Sequence, residues 1–327
     1  MDIVSILYQP LTQLFAATTA AYVLCALGIS LHFGYTGLLN FGQAAFAAIG
    51  AYSYAISDRY LHLGLIGSLL FALACTALYG VILGLPTLRL RADYLAIVTI
   101  AASETVRLVM TSGQLGTWSG GAEGVDHWGS EFYAVNPIPS NIYYILGIPM
   151  TEQQLWADAV GWIIVLLAAS LMFTLIKSPW GRVLKGIRED EDAVRSLGKN
   201  VFKYKIQSLV IGGIFGGLGG IIFAINSLTV QPTVFGTNFT FMTWTLLLLG
   251  GAATVLGSVV GGMVFFVLFL FLQNLLTGLQ ATPVLSFLTT DQASQIPFVL
   301  MGVALMLLVI FRPQGFLGNK KEVQFNG

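Results

Sequence analysis

Nine apolar runs of 16 to 24 residues follow one another between residues 11 and 311. A hydrocarbon core about 30 Å thick takes roughly 20 apolar residues as helix, so each run is a candidate membrane span. They fall at 11–31, 38–57, 63–86, 94–111, 159–177, 206–226, 241–256, 258–276 and 294–311. Barrel strands alternate apolar and polar residues over about ten positions, whereas these runs are continuous and longer. The expected fold class is therefore all-α, a polytopic transmembrane helix bundle of roughly 8–10 spans. Composition agrees: 9% of residues are charged, where soluble domains carry about a quarter. Residues 1–327 are read as one transmembrane domain in the cell membrane.

Several function classes drop out. Zero formal net charge excludes a polybasic nucleic-acid binder. Cys25 and Cys75 sit inside apolar runs, and His32, His62 and His127 lack ligand spacing, so neither disulfide, metal nor cofactor is expected. A P-loop needs Gly-Lys-Ser/Thr, and the single Gly-Lys, Gly198-Lys199, is followed by Asn200. No catalytic constellation appears, so the chain is not read as an enzyme. The start, MDIVSILYQP, lacks the basic region of a cleavable signal, and the first run is expected to remain in the mature protein.

Charge is distributed unevenly. Residues 177–205 hold eight of the fifteen Lys and Arg residues and four acids, Glu189 to Asp192. Residues 112–158 hold no Lys or Arg, but five acids and seven aromatics. Short cytoplasmic loops carry the positive excess, so 177–205 is expected inside and 112–158 outside. Arg89, Arg91, Arg312, Lys320 and Lys321 join the inner side. The side of residue 1 depends on 38–57: outside if that run crosses fully, inside if it is re-entrant or broken.

Polar groups within the runs need partners. Glu104 lies thirteen residues beyond Arg91, with Arg107 at i+3 on the same face; the pair reads either as a structural ion pair or as part of a translocation path. In GYTGLLNFGQAAFAAIGAY, residues 34–52, the amides of Asn40 and Gln43 face other helices or a wet path. Gly212, Gly216 and Gly220 stand four apart, and Gly257 and Gly261 repeat the spacing, a pattern that lets helix backbones approach closely.

In the order GYTGLLNFGQAAFAAIGAY, LRLRADYLAIVTIAASETVRLV, TWSGGAEGV, GRVLKGIREDEDAVRSLGKNVFKYK, LLLLGGAATVLGSVVGG and FRPQGFLG, the chain resembles permease subunits of ABC importers for branched-chain amino acids, most closely the larger M-type subunit. The resemblance implies a heterodimer with a second related permease, cytoplasmic ATPase subunits and an extracytoplasmic solute-binding protein. It places Asn40 and Gln43 near the permeation path and Ser119, Gly120, Gly121 and Glu123 at the binding-protein face. Gln43 stands where many relatives carry histidine, the loop from about 126 to 158 is long, and urea-type permeases share these motifs.

The charged loop gains a role from this. Ser178 suits a helix cap with Pro179 at the first position. A second short helix fits EDEDAVRSLG, with Glu189, Asp190, Glu191 and Asp192 at its positive end, Arg195 near its negative end and Gly198 terminating it. Ala193, Val194 and Leu197 form its expected apolar stripe, and with Arg188 these residues make the ATPase-coupling surface that the resemblance implies. A solvated topogenic loop accounts for the basic residues but not for the acids or the stripe. A self-sufficient secondary transporter is the competing class; it would show several intramembrane ionisable groups and two matched halves, where Glu104 is the single strong acid. A membrane scaffold without transport is the third.

Overall fold

The computed structural model describes residues 3–90, 92–145, 148–280, 289–311 and 314–318. Arg91, Arg312, Lys320 and Lys321 lie outside the described residues. The helices are α1 (Ile3–Thr12), α2 (Ala17–Ile29, prolonged by a π-helical turn Ser30–Tyr35), α3 (Gln43–Arg59), α4 (Gly64–Thr87), α5 (Ala92–Thr111), α6 (Gly116–Ser119) and α7 (Ser130–Ala134). After a hairpin of β1 (Ile142–Ile145) and β2 (Ile148–Thr151) come α8 (Glu152–Lys177), α9 (Pro179–Glu189), α10 (Glu191–Ser196), α11 (Val201–Ser227), α12 (Thr237–Gly250), α13 (Val255–Gln280) and α14 (Thr290–Phe311). The fold is an all-α polytopic bundle, and the hairpin is a local insertion between α7 and α8.

Six described helices are long and apolar enough to cross a membrane: Ala17–Tyr35, Gly64–Thr87, Asp93–Thr111, Glu152–Lys177, Val201–Ser227 and Val255–Gln280. Three expected spans are corrected. The run 11–31 breaks after Thr12, and its spanning helix starts at Ala17. The run 38–57 divides into an irregular stretch, 36–42, and the 17-residue α3. The run 241–256 yields the 14-residue α12, ended by Gly251 at φ +119°. Hydropathy averages over such breaks, because glycine and buried amides lower it little; backbone hydrogen bonding does not.

The broken run 38–57 nevertheless crosses the bundle. At one end Gly37 packs on Arg188 of α9; at the other Arg59 donates to Asp126, 2.8 Å away in the 112–158 segment. The amide of Ala17 donates to Asp158 Oδ1 at 2.6 Å, so α2 begins at the same end of the bundle as that segment.

Central and peripheral helices differ in a way their sequences explain. Nearly every residue of α2 is buried, as is a helix apolar all round inside a bundle. On α4 the buried residues are Ser68, Ala72, Thr76, Gly80, Leu83, Gly84 and Thr87, close to every fourth position, and on α8 they are Ala157, Gly161, Val165, Ala168 and Met172. Small groups face protein while Leu70, Leu78, Ile82, Ile163, Leu166 and Leu167 stand exposed, the arrangement of helices with one flank to lipid. The glycine stripe of α11 performs the expected packing. Gly212 abuts His32, Gly216 abuts Gln43 and Gly220 abuts Ala47, while a Cβ at Gly217 would lie 2.7 Å from Thr76 Oγ1. Likewise Gly261 of α13 packs on Gly250 of α12. The C-terminal stretch 314–318 closes the fold: Phe316 and Leu317 amides donate to the Leu249 and Gly250 carbonyls at 2.9 and 3.0 Å, satisfying acceptors that a helix end leaves open.

Candidate functional site

The break at 36–42 and the residues flanking it hold several buried polar groups. Asn40 is wholly buried; its Oδ1 accepts from the Gly42 amide at 2.8 Å and its carbonyl from Trp244 Nε1 at 3.2 Å. His32 Nε2 lies 3.1 Å from the Leu209 carbonyl, which only accepts. That nitrogen therefore carries the proton, and Nδ1 accepts from Asn40 Nδ2 at 3.1 Å. Gln43, equally buried, donates through Nε2 to the carbonyls of Cys25 (3.2 Å) and Gly212 (3.4 Å). Its Oε1 has no partner among the described atoms. A flipped amide would set oxygen against two carbonyls, so this orientation is the electrostatically favoured one.

Two threonine hydroxyls finish the break. Thr99 Oγ1 accepts from the Phe41 amide and Thr240 Oγ1 from the Ala44 amide, each at 3.0 Å. The second supplies the acceptor that Gly42, at the N-cap of α3, does not. One turn earlier on α12, Thr237 donates to Glu104 Oε1 at 2.8 Å, and Arg107 Nε donates to Glu104 Oε2 at 2.7 Å. The expected Glu104–Arg107 pair is therefore formed, with roughly a third of each side chain exposed. Through Thr237 and Thr240, α12 ties that pair to the start of α3. Thr99 and Trp244 had no signal in the sequence beyond being polar groups in apolar runs, and His32, Thr237 and Thr240 fall just outside the runs altogether.

At the acidic end, TWSGGAEGV forms a tight turn. Gly120, Gly121 and Gly124 have positive φ (70°, 59° and 85°), which a side chain would strain. Ser119 is buried, bonding to the Met110 and Leu115 carbonyls at 2.9 and 3.0 Å. Of the four residues expected at a binding face, Glu123 is exposed, Gly120 is partly so, and Ser119 and Gly121 are buried shape-setters. Val125 pairs with Val230, and Asp58 accepts from the Gly129 amide at 2.7 Å, so the segment is held against the bundle. The hydrogen bond from Arg59 holds the Asp126 carboxyl below its usual range.

At the basic end both short helices form as the sequence requires. Ser178 caps α9 with Pro179 at its start. Asp190 caps α10, accepting from Asp192 and Ala193 amides at 3.0 and 2.9 Å, and Gly198 takes φ +76°. Leu184 and Ile187 bury one side of α9, and Trp180 Nε1 donates to Gln207 on α11 at 2.9 Å. Arg188 donates to the Gly34 carbonyl, and Lys205 of α11 pairs with Glu191, which also receives Arg195 at 2.9 Å. Glu189 and Asp192 are exposed. The expected apolar stripe is divided, and this corrects the reading of one face. Val194 turns inward onto Gly186 of α9, while Ala193 and Leu197 face out, Leu197 at 78% exposure. Ala193 is turned about 100° from Val194 around the axis, and Leu197 is the residue just past the end of α10, so neither continues the face that buries Val194.

A bundle of membrane-crossing helices around a broken run with buried amides, with a docked pair of short charged helices at one end, defines a polytopic membrane protein. The chain belongs to the family described as branched-chain amino acid transport system / permease component, whose model matches residues 11–311. It is 30% identical to the high-affinity branched-chain amino acid transport system permease protein LivM of Salmonella typhimurium, over 92% of this chain and 69% of that one. It is 25% identical to the probable branched-chain amino acid transport permease protein LivM of Methanocaldococcus jannaschii, over 91% of each. The guanosine ABC transporter permease protein NupQ of Bacillus subtilis is 28% identical over 100% of this chain and 98% of its own. No solved structure matches the chain significantly. The chain is thus an ABC permease of this family, a multi-pass protein of the cell membrane and not an enzyme.

Proposed function

We propose that the chain is the M-type permease of an ABC importer that moves branched-chain or related amino acids inward, with ATP hydrolysed by cytoplasmic partner subunits. The observation that carries this reading is the match of the family across 301 of its residues, 11–311, joined to two relatives named as branched-chain amino acid transport permeases, 30% and 25% identical to this chain. On this reading 112–158 faces outward toward a solute-binding protein and 177–205 faces the ATPase. A second related permease completes the path. The break at 36–42 is its natural place: irregular backbone within a membrane is tolerated where it is buried in protein or lines a cavity. Asn40 and Gln43, and Glu104 with Arg107 across α12, are the groups we assign to it. Nucleoside import is the second reading, because the guanosine relative aligns with the entire chain. Uptake by the reconstituted complex, measured with branched-chain amino acids, nucleosides and urea, tests both. Saturable uptake of leucine, isoleucine or valine alone supports the first. Uptake of nucleosides alone replaces it with the second, and uptake without an ATPase would return the chain to the secondary transporters.

A further inference from the structure

A cavity of about 780 Å³ lies at the basic end, between the end of α4 and the α10–α11 corner. Its walls carry Arg89, Arg195, Lys199 and Lys205 against Glu191 and Asp192. The two carboxylates are already met from within the groove, Glu191 by Lys205 and Arg195, and Asp192 by Arg195. Four cations against two anions leave a net charge of +2 in the lining. Arg89 and Lys199 are exposed, and the Arg89 guanidinium sits over the Phe202 ring, 5.7 Å from its centroid. Residues 200–202, which open the 27-residue α11, form part of the wall, so the positive end of a long helix dipole faces the same space.

Position selects the ligand. The groove is lined by Leu88, Arg89 and Leu90, which follow the last two turns of α4, where Ile82 and Leu85 are exposed, and lead into the first turns of α5, where Tyr94 and Ile97 are exposed. Those apolar flanks belong to membrane-crossing helices, so the cations stand at the level where hydrocarbon gives way to headgroups. We propose that this groove binds the phosphate of an anionic phospholipid, with the acyl chains lying along α4 and α5 and the phosphate between Arg89 and Lys199. The guanidinium over Phe202 is held for bidentate recognition, and basic pockets beside membrane helices suit such headgroups. This site is independent of the transported solute.

The test is native mass spectrometry of the purified full-length chain, alone and assembled with its ATPase, exposed to phosphatidylglycerol, phosphatidylcholine of the same chain length, or inorganic phosphate. Phosphatidylglycerol is expected to bind about tenfold more tightly than phosphatidylcholine, and the Arg89→Gln, Lys199→Gln double variant to lose about that factor. Lys203→Gln, exposed on the same turn of α11 but outside the groove, should bind as the parent does. An unchanged lipid-free melting temperature assures the fold, and the single Lys199→Gln variant should be intermediate. Equal binding of both lipids, or full retention by the double variant, overturns the proposal. So does binding of inorganic phosphate without phosphatidylglycerol, which makes the site one for a free anion. Loss of the lipid on ATPase assembly also overturns it and gives the groove to the ATPase.

Discussion

At the residue scale, the buried amides and the Glu104 pair obey different rules. Gln43 serves two carbonyls in a site walled by glycines, where a Cβ at Gly28 would lie 2.6 Å from its Nε2. Replacing it by leucine removes a buried donor and inserts a branched group where α11 leaves none to spare. Gln43→Leu is expected to lower the thermal stability of the complex by about 1–3 kcal/mol, read as a melting shift in detergent. Glu104→Gln keeps the acceptor for Thr237 but leaves Arg107 without its counter-charge. Because the pair is partly exposed, the variant should assemble at parental yield while uptake falls several-fold. Parental uptake would remove the pair from the path, and loss of assembly would make it structural. Asp126 supplies a pH-dependent tie. Its carboxyl is held low by Arg59, so the contact persists above the ordinary aspartate range and is lost as pH falls below it. Amide exchange over residues 124–129 should therefore rise in acid, and Asp126→Asn should raise it at neutral pH.

At the element scale, the interrupted helices depend on acceptors borrowed from neighbours. The N-terminus of α3 lies inside the bundle, and Thr240 of α12 provides the hydroxyl that its own N-cap glycine lacks. Thr240→Val should cost about 0.5–2 kcal/mol, as loss of a cap does, while Thr245→Val, whose hydroxyl bonds within its own helix, should be nearly neutral. Comparing the two melting temperatures checks the assignment. The short helices at the basic end make a second case. Val194 is buried against α9, so a charge there would disturb folding, whereas Leu197 is exposed and has no packing role to lose. Leu197→Asp should therefore leave expression unchanged and reduce both ATPase retention and uptake. If retention and uptake stay parental, α10 is a solvated loop element and not a docking surface.

For the whole molecule, the crossing of the broken run ties the orientation of its first helix to that of the long acidic segment. Ala17 meets Asp158 and Arg59 meets Asp126 at one end, and Gly34 and Gly37 meet Arg188 at the other. Single cysteines at Ser130 and Ser140, both exposed, in a background lacking Cys25 and Cys75, should react with an impermeant thiol reagent on intact cells. Reaction only after permeabilisation would invert the molecule and exchange the faces proposed for the binding protein and the ATPase.

Much of this protein was legible in its residues because the deciding interactions are local. Continuous apolar length made the helices of 63–86, 159–177 and 206–226 plain, and i+3 spacing made the Glu104–Arg107 pair plain. Ser178-Pro179, Asp190 and Gly198 announced the ends of α9 and α10, since capping acts within a few residues. Four-residue glycine spacing announced the packing face of α11. Other features were decided by tertiary contact. Where the runs 38–57 and 241–256 break depends on which distant groups satisfy the freed backbone: Thr99, Thr240 and Trp244 for one, the 314–318 stretch for the other. Whether Val194 or Leu197 faces solvent depends on where α9 lies. Hydropathy sums the affinity of each residue for lipid, but a helix in a membrane stops where another part of the chain can take over its hydrogen bonds.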